Sequence, residues 1–570
     1  MKKLINDPLS VVDDMLKGVV LADQRLVLLE GENIVARRDF QALGQSGKVS
    51  ILSGGGAGHE PAHGGYVGRG MLTAAVAGPV FTSPSVDAVL KAIMTIAGPA
   101  GVLLIVKNYT GDRLNFGLAA EIARAAGVEV DMLVVGDDVA LDHQGGKVGR
   151  RGIAGTVFIH KIAGAAAEAG LTLSQVKAET ERAAAGLFSM GLALGACTVP
   201  AAGKPGFHLG DDEVEYGLGI HGESGVRRGR IQSADEMVDV LLARIVEQSQ
   251  LKAGERIALM VNNLGGTAVQ ELDIVARQAL SGCAALGLQV EAIMVGTFLT
   301  ALEMAGCSLS ILRVDDSLLK RLNAPTDATA WRGMTTPGSV VSRVPVVSAT
   351  EQHAFAGASW SSDQAEVMRK ILQAVSQAFQ QNEKVLTELD SVVGDGDIGI
   401  SLARGARAID AALESFALDR PAVALLQLSA ILRRVLGGTS GPLYAVFVLR
   451  AGVVLSEHAE PGSVGAWAEA LQAGCDGMAR LGGASAGDRT MLDALIPASA
   501  ALSSQAQGVA AADAASQMAI AAENGAEATR TMLPSKGRSS YLGERALGHV
   551  DPGAYAVALW MRAVASAMGG

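Results

Sequence analysis

The sequence predicts an α/β, two-lobed N-terminal half followed by an all-α C-terminal domain. Three observations carry this. Residues 102–106 are an unbroken apolar run, as in strands buried on both faces, followed by a loop, a helical pattern and a second strand-like run at 128–135. The same strand, loop, helix, strand order returns at 256–296, where residues 287–296 echo 127–136. Beyond residue 359 only helical spacing remains.

In chain order, residues 49–53 form a short strand that runs into a glycine loop, Gly54-Gly55-Gly56-Ala57-Gly58-His59. Strand 102–106 leads into Lys107-Asn108-Tyr109-Thr110-Gly111-Asp112. A helix follows with Leu114, Leu118, Ile122 and Ala125 as its apolar face and Gly127 as its C-terminal stop. Two βαβ units imply a mostly parallel sheet and two related lobes, about 1–185 and 186–335, within a domain 1–335. Residues 336–359 are poor in charge, hold Pro337, Gly338 and Pro345, and read as a linker. In 360–570 the first helix is capped near Ser361 or Ser362, with Val367, Ile371, Leu372, Val375 and Phe379 on one face. A later helix opens at Pro421 and stops at Gly437-Gly438.

Composition excludes several classes. The 570 residues hold 70 glycines, 49% hydrophobic residues and only 4% aromatics, which suits close-packed helices and tight turns rather than disorder. A net charge of −11 argues against a nucleic-acid partner. Mean hydropathy is +0.30, yet the longest charge-free run, 183–203, is broken by glycines and a proline, so no membrane span is expected. Met1-Lys2-Lys3 has no apolar core after it and is no signal peptide. Four scattered cysteines suit a reducing cytoplasm.

Chemistry concentrates in a few stretches. Asp390, Asp395 and Asp397 lie within eight residues, on a turn with Gly394 and Gly396. Hard oxygen donors so placed suit Mg²⁺ carrying a nucleotide, or else form a solvated acidic turn; the spacing is not that of an EF-hand. Gly437-Gly438-Thr439-Ser440-Gly441 can form an anion-binding nest or a plain interhelical turn, and no Walker loop occurs. Met491, Arg538 and Asp551 sit in three further polar segments, where Arg538 is suited to countering phosphate charge. In the α/β half, His59 and His221 stand in glycine-flanked strand ends. Asp112 follows a buried strand, where parallel sheets bind ligands. Such histidines are either structural or agents of proton transfer and nucleophilic attack.

Together these segments resemble the single-chain, ATP-dependent dihydroxyacetone kinase family over essentially the whole chain. The motifs are Ser53 through His63 (SGGGAGHEPAH), Lys107 through Asp112 (KNYTGD), Gly219 through Glu223 (GIHGE), Gly394 through Asp397 (GDGD), Gly437 through Gly441 (GGTSG) and Gly537 through Arg545 (GRSSYLGER). The resemblance implies a K-type ketose-binding domain and an L-type domain built as a helical barrel. It implies that His221 forms a hemiaminal with the ketose, with Asp112 as base and His59 assisting, and that Gly55, Gly56 and Lys107 line the pocket. It further implies ATP with two Mg²⁺ held by Asp390, Asp395 and Asp397. Thr439, Ser440 and Gly441 would bind phosphate; Met491, Arg538 and Asp551 would contact the nucleotide. Ile398 departs from the Thr or His that many relatives carry after the last ligand. Dihydroxyacetone is the implied substrate, with glyceraldehyde as a second. Erythrulose, a carbonyl-sensing role without catalysis, and FAD cleavage to a cyclic ribose phosphate remain open. The family's single-chain members are homodimers, which implies the same here.

Overall fold

A computed structural model describes residues 2–141, 149–223, 225–338, 341, 342, 344, 358–505 and 509–569, and of Arg538 the backbone alone. The chain divides into two compact units, residues 1–344 and 345–570. Most of the segment read as a linker lies outside the described residues.

The first unit holds two six-stranded sheets. The strands of the first are β1 (Leu26–Leu28), β2 (Ile34–Arg37), β3 (Ser50–Ala57), β4 (Ala74–Val80), β5 (Val102–Lys107) and β6 (Val130–Val135), in the order β1-β2-β4-β3-β5-β6. The β3–β4, β3–β5 and β5–β6 pairs are parallel; the β1–β2 and β2–β4 pairs are antiparallel. Residues 102–106 of β5 are fully buried, as an apolar run in a sheet covered on both faces should be. The strands of the second sheet are β7 (Leu187–Ala193), β8 (Glu213–Tyr216), β9 (Arg227–Arg230), β10 (Arg256–Asn263), β11 (Gln289–Gly296) and β12 (Gly306–Arg313), in the order β11-β10-β12-β7-β8-β9.

Here the expectation of a mostly parallel sheet fails. Only β10–β11 is parallel, and the other pairs are antiparallel. The echoed βαβ unit is real in both sheets, but outside it the second sheet is built by strands that reverse direction. Residues 187–193 of the charge-free run 183–203 are β7, buried in its sheet. Among the described residues no helix is long and apolar enough to cross a membrane.

Two local readings change. The glycines of 54–56 are in β3, not in a loop after it. A Cβ on Gly54 would lie 2.3 Å from the Val76 carbonyl oxygen, and one on Gly56 2.5 Å from the Thr82 nitrogen. The glycines thus serve close backbone approach rather than a turn. In helix Thr110–Ala125 the stripe Leu114, Leu118 and Ile122 is exposed, and Phe116, Ala119, Ala120 and Ala123 face the core. Gly127, at φ 86°, does end that helix.

The second unit is all helical. Helix Ser362–Gln381 packs on Ile398–Ala412, which packs on Pro421–Val435. The ring continues through Ser440–Glu457, Val464–Gly482, Leu492–Ser504, Ala511–Ala528 and Pro552–Gly569, and the last helix returns to the first. The second unit is therefore a closed helical barrel around one apolar core. Small residues set the spacing: a Cβ on Gly525 would meet the Asp493 carbonyl oxygen at 2.2 Å. Ser361 caps the first helix in a capping box with Gln364. That helix buries Met368, Leu372, Ser376 and Phe379, so the core face is rotated from the expected one and Val367 is exposed.

Candidate active site

In the first unit the expected residues meet where β3, β5 and the turn after β8 come together. Lys107 ends β5 and Asp112 lies in the first turn of helix Thr110–Ala125; both are buried. A Cβ on Gly55 would lie 2.7 Å from Lys107 Nζ, 3.4 Å from Asp112 Oδ2 and 3.8 Å from His63 Nε2. Gly55 at φ 152° is therefore a wall of the site that only glycine can form. Ser83 Oγ donates to Asp112 Oδ1, fixing that carboxylate.

His221 is the exposed member, its side chain 20% accessible. Its Nδ1 lies 2.9 Å from Glu223 Oε1, and its backbone N–H donates to Glu223 Oε2 at 3.0 Å. Burial raises the Glu223 pKa, but the His221 hydrogen bond and charge outweigh it and the net shift is downward. Glu223 is thus ionised and can only accept, so Nδ1 of His221 carries the hydrogen, and the neutral tautomer of the ring has its lone pair at Nε2. Three rings surround it: Tyr109 at 4.6 Å, His59 at 4.9 Å and Phe81 at 5.3 Å between centroids. Phe81 takes φ 58°, a strained conformation for a non-glycine residue, and stacks on His59.

His59 is fully buried. Its Nδ1 donates to the Thr300 carbonyl at 2.8 Å, and its Nε2 has no partner among the described residues. Burial, then the nearby His221 and Lys107, hold its pKa well below the usual value, so the ring is neutral. His59 is therefore a hydrogen-bond acceptor at Nε2. Lys107 reaches His63 Nε2 at 2.7 Å, and burial lowers its pKa.

In the second unit the carboxylates are not on one loop. Asp390 lies on the last turn of helix Glu383–Val393, and Asp397 is the N-cap of helix Ile398–Ala412. Helical spacing had hidden Asp390 among the glycines that follow it. Each of the three offers an oxygen within 4.8 Å of the others; Asp390 is buried, Asp395 and Asp397 exposed. Asp390 Oδ2 accepts from the Asp397 and Ile398 N–H groups at 2.9 and 3.2 Å. Gly394 is required because a Cβ there would lie 2.2 Å from Asp390 Oδ1. The donor set is hard oxygen throughout and fits a divalent ion such as Mg²⁺.

Thr439 is the N-cap of helix Ser440–Glu457, Gly438 has φ 62°, and a Cβ on Gly441 would lie 2.4 Å from the Leu436 carbonyl oxygen. Ser401, one turn into the helix that starts at Ile398, accepts from the Gly437 N–H at 3.3 Å, which brings the glycine turn beside the carboxylates. Met491 and Asp551 both border Gly553, where a Cβ would lie 2.8 Å from Met491 Cγ and 3.1 Å from Asp551 Oδ2. The Arg538 side chain lies outside the described residues; its segment packs on helix Glu383–Val393.

Sequence reasoning missed Arg489. It is wholly buried at φ 60°, and its Nη2 donates to the carbonyls of Ala546 and His549 at 3.2 and 2.9 Å. Its Nη1 stands 3.9 Å from Asp551 Oδ1. Burial lowers the Arg489 pKa and raises that of Asp551 to about 6. Arg489 thereby ties the Met491 segment to the Asp551 segment.

Comparison with known proteins follows this division. The Dak1 domain model matches residues 17–330 and the DAK2 domain model residues 392–566. A Triokinase/FMN cyclase from Homo sapiens is 42% identical over 575 residues, covering 99% of this chain and 98% of that protein. A dihydroxyacetone kinase from Citrobacter freundii is 40% identical over 578 residues, covering 98% of each. The crystal structure of the C. freundii dihydroxyacetone kinase in complex with AMP-PNP and Mg²⁺ matches with a TM-score of 0.66 at 37% identity, over 99% of both chains.

Proposed function

This chain belongs to the dihydroxyacetone kinase family, and on that premise we propose that it transfers the γ-phosphate of ATP to dihydroxyacetone held covalently on His221. Residues 1–335 form the ketose-binding domain and 360–570 the ATP-binding domain. The observation that carries the reading is the His221–Glu223 pair, which presents Nε2 as a free lone pair at the rim of a pocket lined by Asp112, Lys107 and His59.

Attack by Nε2 on the ketone carbon forms the C–N bond and opens the carbonyl π bond. The Lys107 ammonium supplies a proton to the oxygen, and the Nδ1 proton leaves by way of Glu223, giving a neutral hemiaminal. Polyols have no carbonyl and cannot bind this way, so selection is chemical. His59 Nε2 accepts a hydrogen bond from a substrate hydroxyl. Asp112 takes the proton of the hydroxyl that attacks phosphorus. Asp390, Asp395 and Asp397 would hold Mg²⁺, which when bound neutralises phosphate charge. Gly437 to Gly441 contribute backbone N–H groups to phosphate, and Met491 and Asp551 line the nucleotide, with Arg538 countering its charge.

The protein acts in the cytoplasm as a homodimer in which each ATP-binding domain serves the partner's ketose. Mixing inactive His221→Ala and Asp395→Asn chains tests this. Transfer between subunits restores about one quarter of wild-type activity for random twofold pairing; transfer within a chain restores none. The ketose itself is tested by comparing kcat/KM for dihydroxyacetone, glyceraldehyde and the two erythruloses. A tetrulose preferred by more than about tenfold, or 1.4 kcal/mol, would replace dihydroxyacetone as substrate.

A further inference from the structure

Behind Lys107 of the ketose pocket runs a hydrogen-bonded chain whose two histidines have no part in the steps above. Lys107 Nζ lies 2.7 Å from His63 Nε2, and His63 Nδ1 lies 2.9 Å from His160 Nε2. All three residues are buried, and His160 Nδ1 has no partner among the described residues. His63 follows the β3 glycines, and His160 sits in the buried helix Thr156–Glu168.

We propose that His63 and His160 are positioning residues whose relay holds the Lys107 amine as a charged donor into the ketose pocket. The proposal rests on the kinase reading of that pocket. Each link has room for one hydrogen, so the chain has a single polarity at a time. If Lys107 donates to His63 Nε2, the His63 hydrogen must sit on Nδ1, and His160 must accept at Nε2. The opposite polarity requires a neutral amine that accepts from His63. One feature selects the first. Asp112 Oδ2 and Lys107 Nζ both border the space beside Gly55, so a carboxylate favours the ammonium. The chain ends at His160 Nδ1, buried in the core. Its effect is to fix tautomers, and through them the direction of the Lys107 hydrogens.

The ionisable groups facing Lys107 are Asp112, His59, His63 and His160. Burial keeps the three imidazoles neutral, that of His160 at about 3. In the alkaline range Lys107 is thus the member of this group that titrates. Removing its acceptor disfavours the ammonium, so its pKa falls and the alkaline limb of ketose binding moves to lower pH.

The test uses full-length His63→Leu, His63→Gln and His160→Leu, each checked by thermal unfolding. The readouts are KM for dihydroxyacetone and for ATP, and the pH dependence of ketose adduct formation by native mass spectrometry. His63→Leu should raise ketose KM by about tenfold or more, the value of a hydrogen bond to a charged group, with ATP KM unchanged and the alkaline limb shifted toward acid. His63→Gln keeps a carbonyl acceptor for Nζ and should restore most of the loss. His160→Leu should shift the limb the same way by less. If the Gln variant is as impaired as the Leu variant and no folded variant moves the limb, the pair only packs the core and the proposal is wrong. Failure of the kinase reading has a different signature, wild-type adduct without ketose-dependent ATP turnover, and the adduct profile still tests the relay in that case.

Discussion

The ketose pocket and the carboxylate cluster solve opposite problems. The pocket is wired in advance: His59 is oriented by the Thr300 carbonyl, His221 by Glu223, Asp112 by Ser83 and Lys107 by His63. Its groups are mostly buried, and burial selects their protonation states. The cluster has one buried carboxylate tied to backbone N–H groups and two exposed ones within 4.8 Å of it. Like charges so placed repel, and a divalent cation bound among them would relieve that repulsion. Covalent selection of a neutral ketose asks for fixed tautomers in a dry pocket, whereas capture of a charged nucleotide asks for an open site completed by its own counter-ion.

The contrast can be broken from either side. The largest effect should come from His221→Ala, which removes the nucleophile. Turnover should fall roughly 10³-fold or more, the ketose adduct should vanish, and Mg-ATP binding by calorimetry should be unchanged. Next is Asp395→Asn, which should reduce kcat/KM for Mg-ATP roughly 10²-fold while the adduct persists. It should also diminish the rise in melting temperature that millimolar Mg²⁺ gives the wild type. If Asp395→Asn abolished the adduct, the two sites would not be separable as described. Gly55→Ala is a smaller and one-sided probe. The added methyl meets Lys107 Nζ, and the strained φ should cost about 1–3 kcal/mol in chemical unfolding. Ketose KM should rise and ATP KM should not.

Legibility followed the same contrast. Strand β5 was readable because a strand buried on both faces has no polar alternation to hide it. The helix Thr110–Ala125 was readable as a helix, but Leu114, Leu118 and Ile122 gave the wrong face, since the small residues Ala119, Ala120 and Ala123 pack closer to the sheet. The β3 glycines looked like a loop because nothing in the sequence shows that Val76 and Thr82 crowd them. His59, Asp112, His221 and the three aspartates stood in glycine-rich motifs. Ser83, His160 and Arg489 lie in ordinary segments and acquire a role only through partners 29, 97 and 57 residues away. Family resemblance, rather than spacing, joined the two halves into a kinase.

The subtlest effect concerns Asp551. Burial raises its folded-state pKa to about 6, above the ordinary carboxyl value of about 4. The folded state therefore binds more protons than the unfolded one between about pH 4 and 6. The stability that this group contributes is full below about pH 4 and is lost as pH rises through about 6, a change on the order of 3 kcal/mol. Asp551→Asn should remove that part of the slope. The check is urea unfolding of the wild type and the variant at pH 4.5 and 7; parallel behaviour of the two would show that Asp551 is not held in this way.

The central claim is that His221, and not the more deeply buried amine of Lys107, captures the ketose. Native mass spectrometry of the full chain with dihydroxyacetone decides it. A hemiaminal on His221 adds the full mass of the ketose, persists in Lys107→Met at higher ketose and is absent in His221→Ala. An adduct lighter by one water, retained in His221→Ala and lost in Lys107→Met, would mark a Schiff base on Lys107 and contradict the account.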